Sequence, residues 1–389
     1  MPAHSLMNFA SGLSAKLAAK SRHVSMFLGA GVGASCGLPD VAALQDKVLE
    51  SLDGDAKESM ASQLEGRNIE EALSRLRRIA ALVQDDQTVD GLTGPEAAGL
   101  DTAVCQSIVA ALAFDDANLQ PVEHFAAWAG RASYDLPLEV FTVNYDLLLE
   151  TALEGRGVPY FDGFVGNLEG SFQTQLVESA AGGRDWVPSF FVRLWKLHGS
   201  VNWVRQDDGH VVRMGRPVPE GLAAAIYPSD MKYDESRRVP FVVLADRLRR
   251  SLYQPESLTL VAGYSFGDSH LNEVIFDAAG RCERSETVVF CYGDIPVHLA
   301  QQAVVAPNLQ VVSPSEAILG GVRANWKKPE DPPPDLWNDD GCALGDFRHL
   351  AAYLARSTAR ESEADPLLAL LLCQAPEVPH EAGGANDNG

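Results

Sequence analysis

The stretch that decides the fold is Val24–Asp40, with the sequence VSMFLGAGVGASCGLPD. Val24–Leu28 is a short apolar run that favours a β-strand, and a glycine-rich segment follows it at once. A strand that runs directly into such a turn is typical of a doubly wound α/β fold, where the backbone approaches a nucleotide pyrophosphate. Glycine permits that approach because it has no Cβ and adopts positive φ. A tight turn with no ligand is the alternative interpretation, and the residues further along the chain decide between the two.

The composition restricts the class of protein. The chain has 389 residues, 46% of them hydrophobic, which is enough for one large domain or two ordinary ones. Asp and Glu total 53 against 31 Lys and Arg, giving a formal charge of −22. Such a surface repels nucleic acid, so we expect no direct nucleic-acid binding. The six cysteines form no CxxC pair, and no apolar run reaches the ~20 residues that span a bilayer. We therefore expect a cytoplasmic protein without membrane contact.

Strand and helix patterns alternate along the chain. The alternation predicts an α/β fold, a Rossmann-like, mainly parallel sheet with helices on both faces. A helical lobe is expected as an insertion at about 56–131, and residues 163–190 are expected to form a loop or an irregular flap. The domain prediction is one domain over residues 1–325. Residues 326–389 are expected to form a Pro- and acid-rich linker with a short C-terminal helical segment and a disordered tail.

Polar groups cluster at the ends of four predicted strands. Each group follows directly on an apolar run, and the groups are Gly29–Asp40, Thr142–Asp146, Leu197–Ser200 and Gly263–Asp268. Ligands of open α/β sheets bind in the crevice outside the carboxyl ends of the strands. Four such groups in one chain favour a nucleotide pocket over a bare turn.

The same four places carry residues that resemble the motifs of the sirtuin superfamily. GAGVGASCGLPDVA at Gly29–Ala42 is similar to the family's GAGxSxxSGIPDFR, and TVNYD at Thr142–Asp146 is similar to its TQNID. The family's HG is matched by His198 and Gly199, and its GTS turn by Gly263–Ser265. The variants TxNYDxLxE, KLHGSxxW and GYSFGDxHxN resemble the zinc-free sirtuin-like NAD hydrolases of bacterial anti-phage defence more than the protein deacylases. The resemblance covers roughly residues 22–313.

Two departures from the deacylase pattern bear on activity. Deacylases hold a structural zinc with two CxxC pairs between the HG motif and the GTS turn, but the chain has no cysteine between His198 and Gly263. No metal is therefore expected. The Phe and Arg that follow Pro-Asp in the family are Val41 and Ala42 here. Because that Phe screens the reacting sugar from free nicotinamide, its loss is expected to open the centre to water.

The resemblance implies an NAD+ glycohydrolase that cleaves the N-glycosidic bond of NAD+ to nicotinamide and ADP-ribose. His198 is the expected general base, since an imidazole titrates near neutrality, and Asn144 is expected to orient the ribose hydroxyls or the water. A satisfied core histidine and a helix cap are the respective structural alternatives. The residues expected to bind NAD+ are Gly29, Ala30, Gly31, Asp40, Thr142, Asp146, Gly263 and Ser265.

Individual roles in this set also follow from the resemblance. Ala30 and Gly31 are expected to bring backbone N–H groups to the pyrophosphate, with the dipole of the next helix behind them. Ser265 is expected at the adenosine ribose and Asp40 near the nicotinamide amide. Asp40 and Asp146 equally fit helix caps.

The resemblance also implies a biological setting and partners. A defence hydrolase acts by NAD depletion, in abortive infection, and must be gated. The expected assembly is a homo-oligomer with a HerA-family motor ATPase, or with a short Argonaute as the alternative. Two other functions stay open, namely a zinc-free NAD-dependent protein deacylase or ADP-ribosyltransferase, and a non-catalytic subunit that senses NAD or ADP-ribose.

Overall fold

The computed structural model describes residues 3–83, 87–179, 185–206, 208–215, 218, 224–226 and 239–357. The strands in these ranges, in chain order, are β1 His4–Ser5, β2 Val24–Leu28, β3 Glu139–Thr142, β4 Tyr160–Phe161, β5 Phe164–Val165, β6 Glu169–Phe172, β7 Val192–Lys196, β8 Gly199–Arg205, β9 Val211–Met214, β10 Ala224–Ile226, β11 Leu258–Ala262, β12 Glu286–Phe290, β13 Leu309–Val312, β14 Glu316–Leu319, β15 Val322–Lys327, β16 Trp337–Asn338 and β17 Gly341–Cys342.

The helices alternate with these strands. In chain order they are α1 Leu6–Ala18, α2 Gly31–Ser35, α3 Val41–Ser51, α4 Gly54–Leu64, α5 Ile69–Leu82, α6 Gly94–Ala111, α7 Gln120–Arg131, α8 Leu148–Gly155, α9 Thr174–Ser179, α10 Phe241–Leu252, α11 Ser269–Arg281, α12 Val297–Val305 and α13 Phe347–Ser357, with a 3₁₀ turn at Ala343–Gly345. Within the described part of the chain, no helix is long and apolar enough to cross a membrane.

A ten-stranded sheet forms the centre of the molecule. Its order is β1-β15-β14-β13-β12-β11-β2-β3-β7-β4, and its pairs are parallel except for β13 with β14 and β14 with β15. The chain leaves β2 toward β3 and β7 on one side, and later returns to β11 on the other. This reversal of direction places the topological switch point between β2 and β11.

Helices cover both faces of this sheet. Along β2, Val24, Met26 and Leu28 belong to one apolar cluster, which they share with α1, α3 to α8 and α13. Phe27 points to the other cluster, which contains α10, α11 and α12. Side chains alternate because the period of a strand is two, and every residue of β2 is buried because both faces are covered. The predicted Rossmann-like α/β fold is confirmed.

In the described residues of the insertion between β2 and β3, helices α3 to α7 are joined by short connections, one of which holds the isolated bridge between Val89 and Leu92. A capping box starts α5, in which Asn68 accepts from the N–H of Glu71 and Glu71 accepts from the N–H of Asn68. A second capping box, with Thr93 and Glu96, starts α6. These capping boxes are local sequence signals that mark the starts of α5 and α6.

Residues 163–190 differ from the loop or flap that their composition predicts. They contribute β5, β6 and α9, and both strands belong to a five-stranded antiparallel sheet of order β10-β8-β9-β6-β5. The Gly-rich, polar composition concealed these strands, because β6 pairs with β9, which is distant along the chain, and β5 pairs, among the described strands, only with β6. The prediction of an irregular flap was wrong.

The segment that follows β14 packs against the rest of the chain. Residue Trp326, the first of the predicted linker, lies inside β15, and Leu336 is buried. The short ribbon of β16 and β17 then leads into α13, where Arg356 pairs with Asp335. The tail beyond residue 357, with the apolar run 367–372, lies outside the described residues.

A buried ionic cluster joins the amino ends of the central strands. Glu139 at the start of β3 is fully buried and accepts from Arg247 Nε at 2.6 Å and Trp195 Nε1 at 2.9 Å. His23 Nε2 lies 3.1 Å from its other oxygen. Burial opposes ionisation, but the charge of Arg247 and the contact with His23 outweigh it and lower the pKa of Glu139 to about 2.

We predict that Arg247→Met lowers the free energy of unfolding by about 3–5 kcal/mol, because it leaves the carboxylate of Glu139 buried without its main counter-ion. Chemical denaturation measures the change. Arg250→Met on the same helix is the matched control, since Arg250 pairs with Asp246 at the surface and an exposed i,i+4 pair is worth about 0.3–0.5 kcal/mol. Equal losses in the two variants would contradict the prediction.

Candidate functional site

The four polar groups converge at one edge of the sheet. Leu28 at the end of β2 pairs with Thr142 on one side and with Ala262 on the other. Thr142 in turn pairs with Lys196 at the end of β7. The strands are parallel and in register, so the residues that follow them begin at the same level of the sheet. This register brings together the four polar groups that follow β2, β3, β7 and β11.

Three glycines let the turns after β2 and β11 touch through their backbones. The N–H of Gly29 donates to Ala262 O at 3.0 Å, and the N–H of Gly31 donates to Gly263 O at 2.9 Å. A Cβ at Gly29 would lie 2.5 Å from Gly263 O, and one at Gly31 would lie 2.6 Å from Gly263 Cα. Gly263 itself has φ of +65°, a conformation that favours glycine.

This contact bears on one expected role. The N–H of Gly31 already donates to Gly263 O, and its contact with a pyrophosphate stays a prediction. The following helix, α2, is only five residues long, so its terminus offers little dipole to an anion. Ala30 lines the cleft described next, and it stays a predicted contact.

A cleft of two chambers opens over this junction. The first, called the histidine chamber, has a volume of about 560 Å³ and includes His198, Glu70, Asp268 and Ala30 in its wall. The second, called the C-terminal chamber, also has about 560 Å³ and includes Phe290, Tyr292, Phe347 and Arg348. Both share the wall residues Gly31, Asp40, Gly263, Tyr264 and Ser265. Each volume lies in the range typical of small-molecule sites.

His198 lies in the turn between β7 and β8 and is buried. Its Nε2 lies 3.4 Å from Asp268 Oδ2, while its buried Nδ1 has no hydrogen-bond partner among the described residues. Burial disfavours the charged imidazole, but the hydrogen bond with Asp268 and the charges of Glu70 and Asp268 outweigh it and raise the pKa of His198. The ring therefore has one nitrogen held by a carboxylate and one, Nδ1, that is buried without a partner among the described residues.

Asp268 is the residue whose role sequence reasoning missed. It caps α11 by accepting from the N–H of His270 at 2.8 Å and of Leu271 at 3.3 Å. Burial opposes its ionisation, yet His198 and these N–H groups lower the pKa of Asp268. The aspartate ends the polar group Gly263–Asp268, but nothing in the sequence pairs it with a histidine that is distant along the chain.

Asn144 and Thr142 lie behind the residues that line the cleft, where Asn144 contacts the Gly29 turn. Asn144 Nδ2 donates to Gly29 O at 3.0 Å, and its N–H donates to Thr142 Oγ1 at 3.0 Å. Neither residue belongs to the described lining of the two chambers. In this structure Asn144 thus holds the Gly29 turn, and Thr142, which is buried, holds Asn144.

The two aspartates in the predicted set both accept from a backbone N–H at the start of a helix, but only Asp40 is an N-cap. Asp40 accepts from the N–H of Ala43 at 2.9 Å at the start of α3, and it also lines both chambers. Asp146 is buried and accepts from the N–H of Leu148 at 3.0 Å, away from the described chamber walls. Burial raises the pKa of Asp146 against the opposing charge of Lys196. Ser265 is exposed in the shared wall, where a ligand in either chamber can reach it.

Two further parts of the wall were not predicted. Glu70 reaches the histidine chamber from the start of α5, so the helical insertion contributes directly to the site. The C-terminal chamber is closed by Gly345–Arg348, which sequence composition assigned to the region beyond the catalytic domain. Both contributions depend on tertiary packing that no local pattern encodes.

Negative charge dominates the histidine chamber. Asp40, Glu70, Glu71 and Asp268 lie in its wall, and His198 is the one basic side chain among its described lining residues. In the described part of the chain, no group of three or more His, Cys, Asp or Glu side chains is arranged to hold a metal ion.

The fold and the cleft define a Rossmann-like α/β protein with a candidate ligand site at the carboxyl edge of its sheet. Residues 138–308 match the family model of the SIR2-like domain, which supports a place in the sirtuin-like superfamily. The matched segment runs from β3 to the residues before β13 and contains Asn144, His198 and Ser265. SIR2-like domains use NAD+ and belong to a superfamily of NAD-dependent enzymes, so an NAD-related activity is supported in general terms. No curated protein matches the chain.

We predict that Gly29→Ala destabilises the protein by about 1–3 kcal/mol, because the new methyl group would force the turns after β2 and β11 apart. The melting temperature measures the effect. Gly12→Ala is the matched control, since nothing surrounds a Cβ at Gly12 within 4 Å and alanine stabilises a helix interior by about 0.5–1 kcal/mol. A Gly29→Ala variant as stable as the wild type would show that the two turns do not need this contact.

Proposed function

We propose that the protein is an NAD+ glycohydrolase, which cleaves NAD+ to nicotinamide and ADP-ribose. The observation that carries the proposal is His198, buried in the turn after β7, with Asp268 on Nε2 and with Nδ1 unpartnered among the described residues. A general base needs a basic nitrogen within reach of the substrate and a second group that fixes the ring. The match of residues 138–308 to the SIR2-like domain supports NAD+ as the substrate.

The two chambers fit the two halves of NAD+. The acidic wall of the histidine chamber complements the positive nicotinamide ring and the oxocarbenium-like ribose that forms as the ring departs. Phe290, Tyr292 and Phe347 offer the C-terminal chamber aromatic surface for the adenine, and Arg348 lies at the same wall. Ser265, in the wall that both chambers share, is proposed to contact the adenosine ribose.

In the proposed reaction a water attacks the anomeric carbon of the nicotinamide ribose. The C–N bond breaks with its electron pair remaining on nicotinamide, which leaves neutral, and the proton of the water passes to His198. The products are nicotinamide, ADP-ribose and one proton. Asn144 is proposed to orient the water or the ribose hydroxyls through its carboxamide oxygen, while Nδ2 keeps the Gly29 turn in place.

We further propose that a partner controls this activity, as part of a cytoplasmic anti-phage system that depletes NAD. The support is indirect, since uncontrolled NAD+ hydrolysis would kill the cell and the motifs resemble the hydrolases of such systems. A homo-oligomer with a HerA-family motor ATPase is the proposed assembly, with a short Argonaute as the alternative. The charge of −22 favours a protein partner over direct nucleic-acid contact.

We predict that the purified protein, alone or with its co-purified partner, converts NAD+ to nicotinamide and ADP-ribose, followed by chromatography. His198→Ala should lower the rate by about 100-fold or more, because general-base catalysis typically contributes that much. Asn144→Ala should also lower it. His210→Ala is the matched control, since His210 is an exposed histidine outside the described chamber walls.

Four other outcomes would contradict the proposal. NAD+ that stays intact in every condition while raising the melting temperature would identify a sensor subunit. Turnover that requires an acetylated peptide would identify a deacylase, and transfer of ADP-ribose to a protein would identify a transferase. Activity that survives His198→Ala would remove the proposed base.

A further inference from the structure

Glu70 is fixed at the histidine chamber by the way α5 begins. The capping box of this helix uses Asn68 and Glu71, and the carboxylate of Glu71 accepts from the N–H of Asn68 at 2.9 Å. The adjacent Glu70 takes no part in the cap. Its side chain lines the chamber that contains His198. The insertion thus presents one carboxylate that helix capping does not need.

A single buried hydroxyl holds that carboxylate. Tyr145 donates its O–H to Glu70 Oε1 at 2.6 Å. The backbone of Tyr145 is itself tied to β8, since its carbonyl accepts from the N–H of Val201 at 3.0 Å and from Ser200 Oγ at 3.3 Å. Burial raises the pKa of Tyr145 and the charge of Glu70 raises it further, so the hydroxyl keeps its proton and remains a donor.

His198 therefore faces carboxylates from two different parts of the fold. Asp268 comes from the loop before α11 and contacts the ring directly, while Glu70 comes from the helical insertion. The other acidic groups of the same chamber are engaged elsewhere, because Asp40 caps α3 and Glu71 caps α5. Lys196, two residues before His198, pairs with Glu150 on α8. Burial lowers the pKa of His198, and Asp268 and Glu70 are the groups that raise it.

We propose that Glu70 is a positioning residue of this site, which acts on His198 across the chamber and makes the proton affinity of the histidine depend on the docking of α5 against Tyr145. A carboxylate near the ring stabilises the imidazolium. If α5 moved away from Tyr145, that stabilisation would weaken. The helical insertion is thereby coupled to the ionisation of the candidate base through one charge and one hydrogen bond. Its catalytic consequence rests on the proposed hydrolase function.

The first test measures the ionisation of His198 without any substrate. The imidazole resonances of the full-length protein are titrated by NMR, with the His198 signal assigned by its loss in His198→Asn. Glu70→Gln should lower the pKa of His198, because the imidazolium loses a neighbouring negative charge. Asp268→Asn should lower it too, since asparagine still caps α11 but carries no charge. Tyr145→Phe should lower it less, because the carboxylate stays but is no longer held.

Glu58→Gln is the matched control, since it removes the same charge from an exposed position on α4 of the same insertion. It should leave the pKa of His198 unchanged. The proposal would be overturned if the pKa of His198 were the same in Glu70→Gln, Glu58→Gln and the wild type. If Glu70→Gln fails to fold, the comparison of Tyr145→Phe with Glu58→Gln decides the point in the same way.

The second test uses turnover and separates this inference from the proposed function. The acid limb of kcat/KM for NAD+ should move to lower pH in Glu70→Gln, because a base with a lower pKa loses its proton earlier. If the wild type hydrolyses NAD+ and Glu70→Gln has the same acid limb, the inference alone is overturned. If the wild type does not hydrolyse NAD+ but Glu70→Gln still lowers the pKa of His198, the proposed function is overturned and the coupling is kept.

Discussion

The contact between Gly29, Gly31 and Gly263 is the constraint on which the site depends. It brings two turns from neighbouring strands together through backbone atoms, at separations that no Cβ permits. Because this contact fixes the turn after β11, it places Tyr264, Ser265 and Asp268 in the wall of the cleft. The glycine-rich stretch therefore has a structural explanation as well as the ligand-binding one. Glycine is required here for turn-to-turn packing before any nucleotide is considered.

The distribution of charge divides the site into two unlike halves. Carboxylates surround His198, and the aromatic side chains lie at the other end with Arg348. A nucleotide that carries a positive ring at one end and an adenine at the other would match this polarity. The carboxylates also keep His198 from behaving as an isolated buried imidazole, since burial alone would favour its neutral form. The proposed chemistry thus depends on ion pairing inside the cleft.

Much of the fold could be predicted from the sequence, because its signals are local. The apolar run Val24–Leu28, the glycines after it and the helical periodicity of the insertion each lie within a few turns of chain. The convergence of His198 with the Gly29 turn followed from one general rule about parallel sheets. By contrast, the pairs His198–Asp268 and Tyr145–Glu70 are 70 and 75 residues apart. Such pairs are set by packing, and a single sequence gives no sign of them.

The most direct test of the account is a crystal structure of the His198→Ala variant with NAD+. The account predicts the nicotinamide ribose in the histidine chamber, beside Asp268 and Glu70, and the adenine against Phe347 in the C-terminal chamber. The diphosphate should cross the shared wall over Gly263. NAD+ bound outside the cleft, or bound with its two ends reversed, would contradict the central claim that this junction of turns is an NAD+ site.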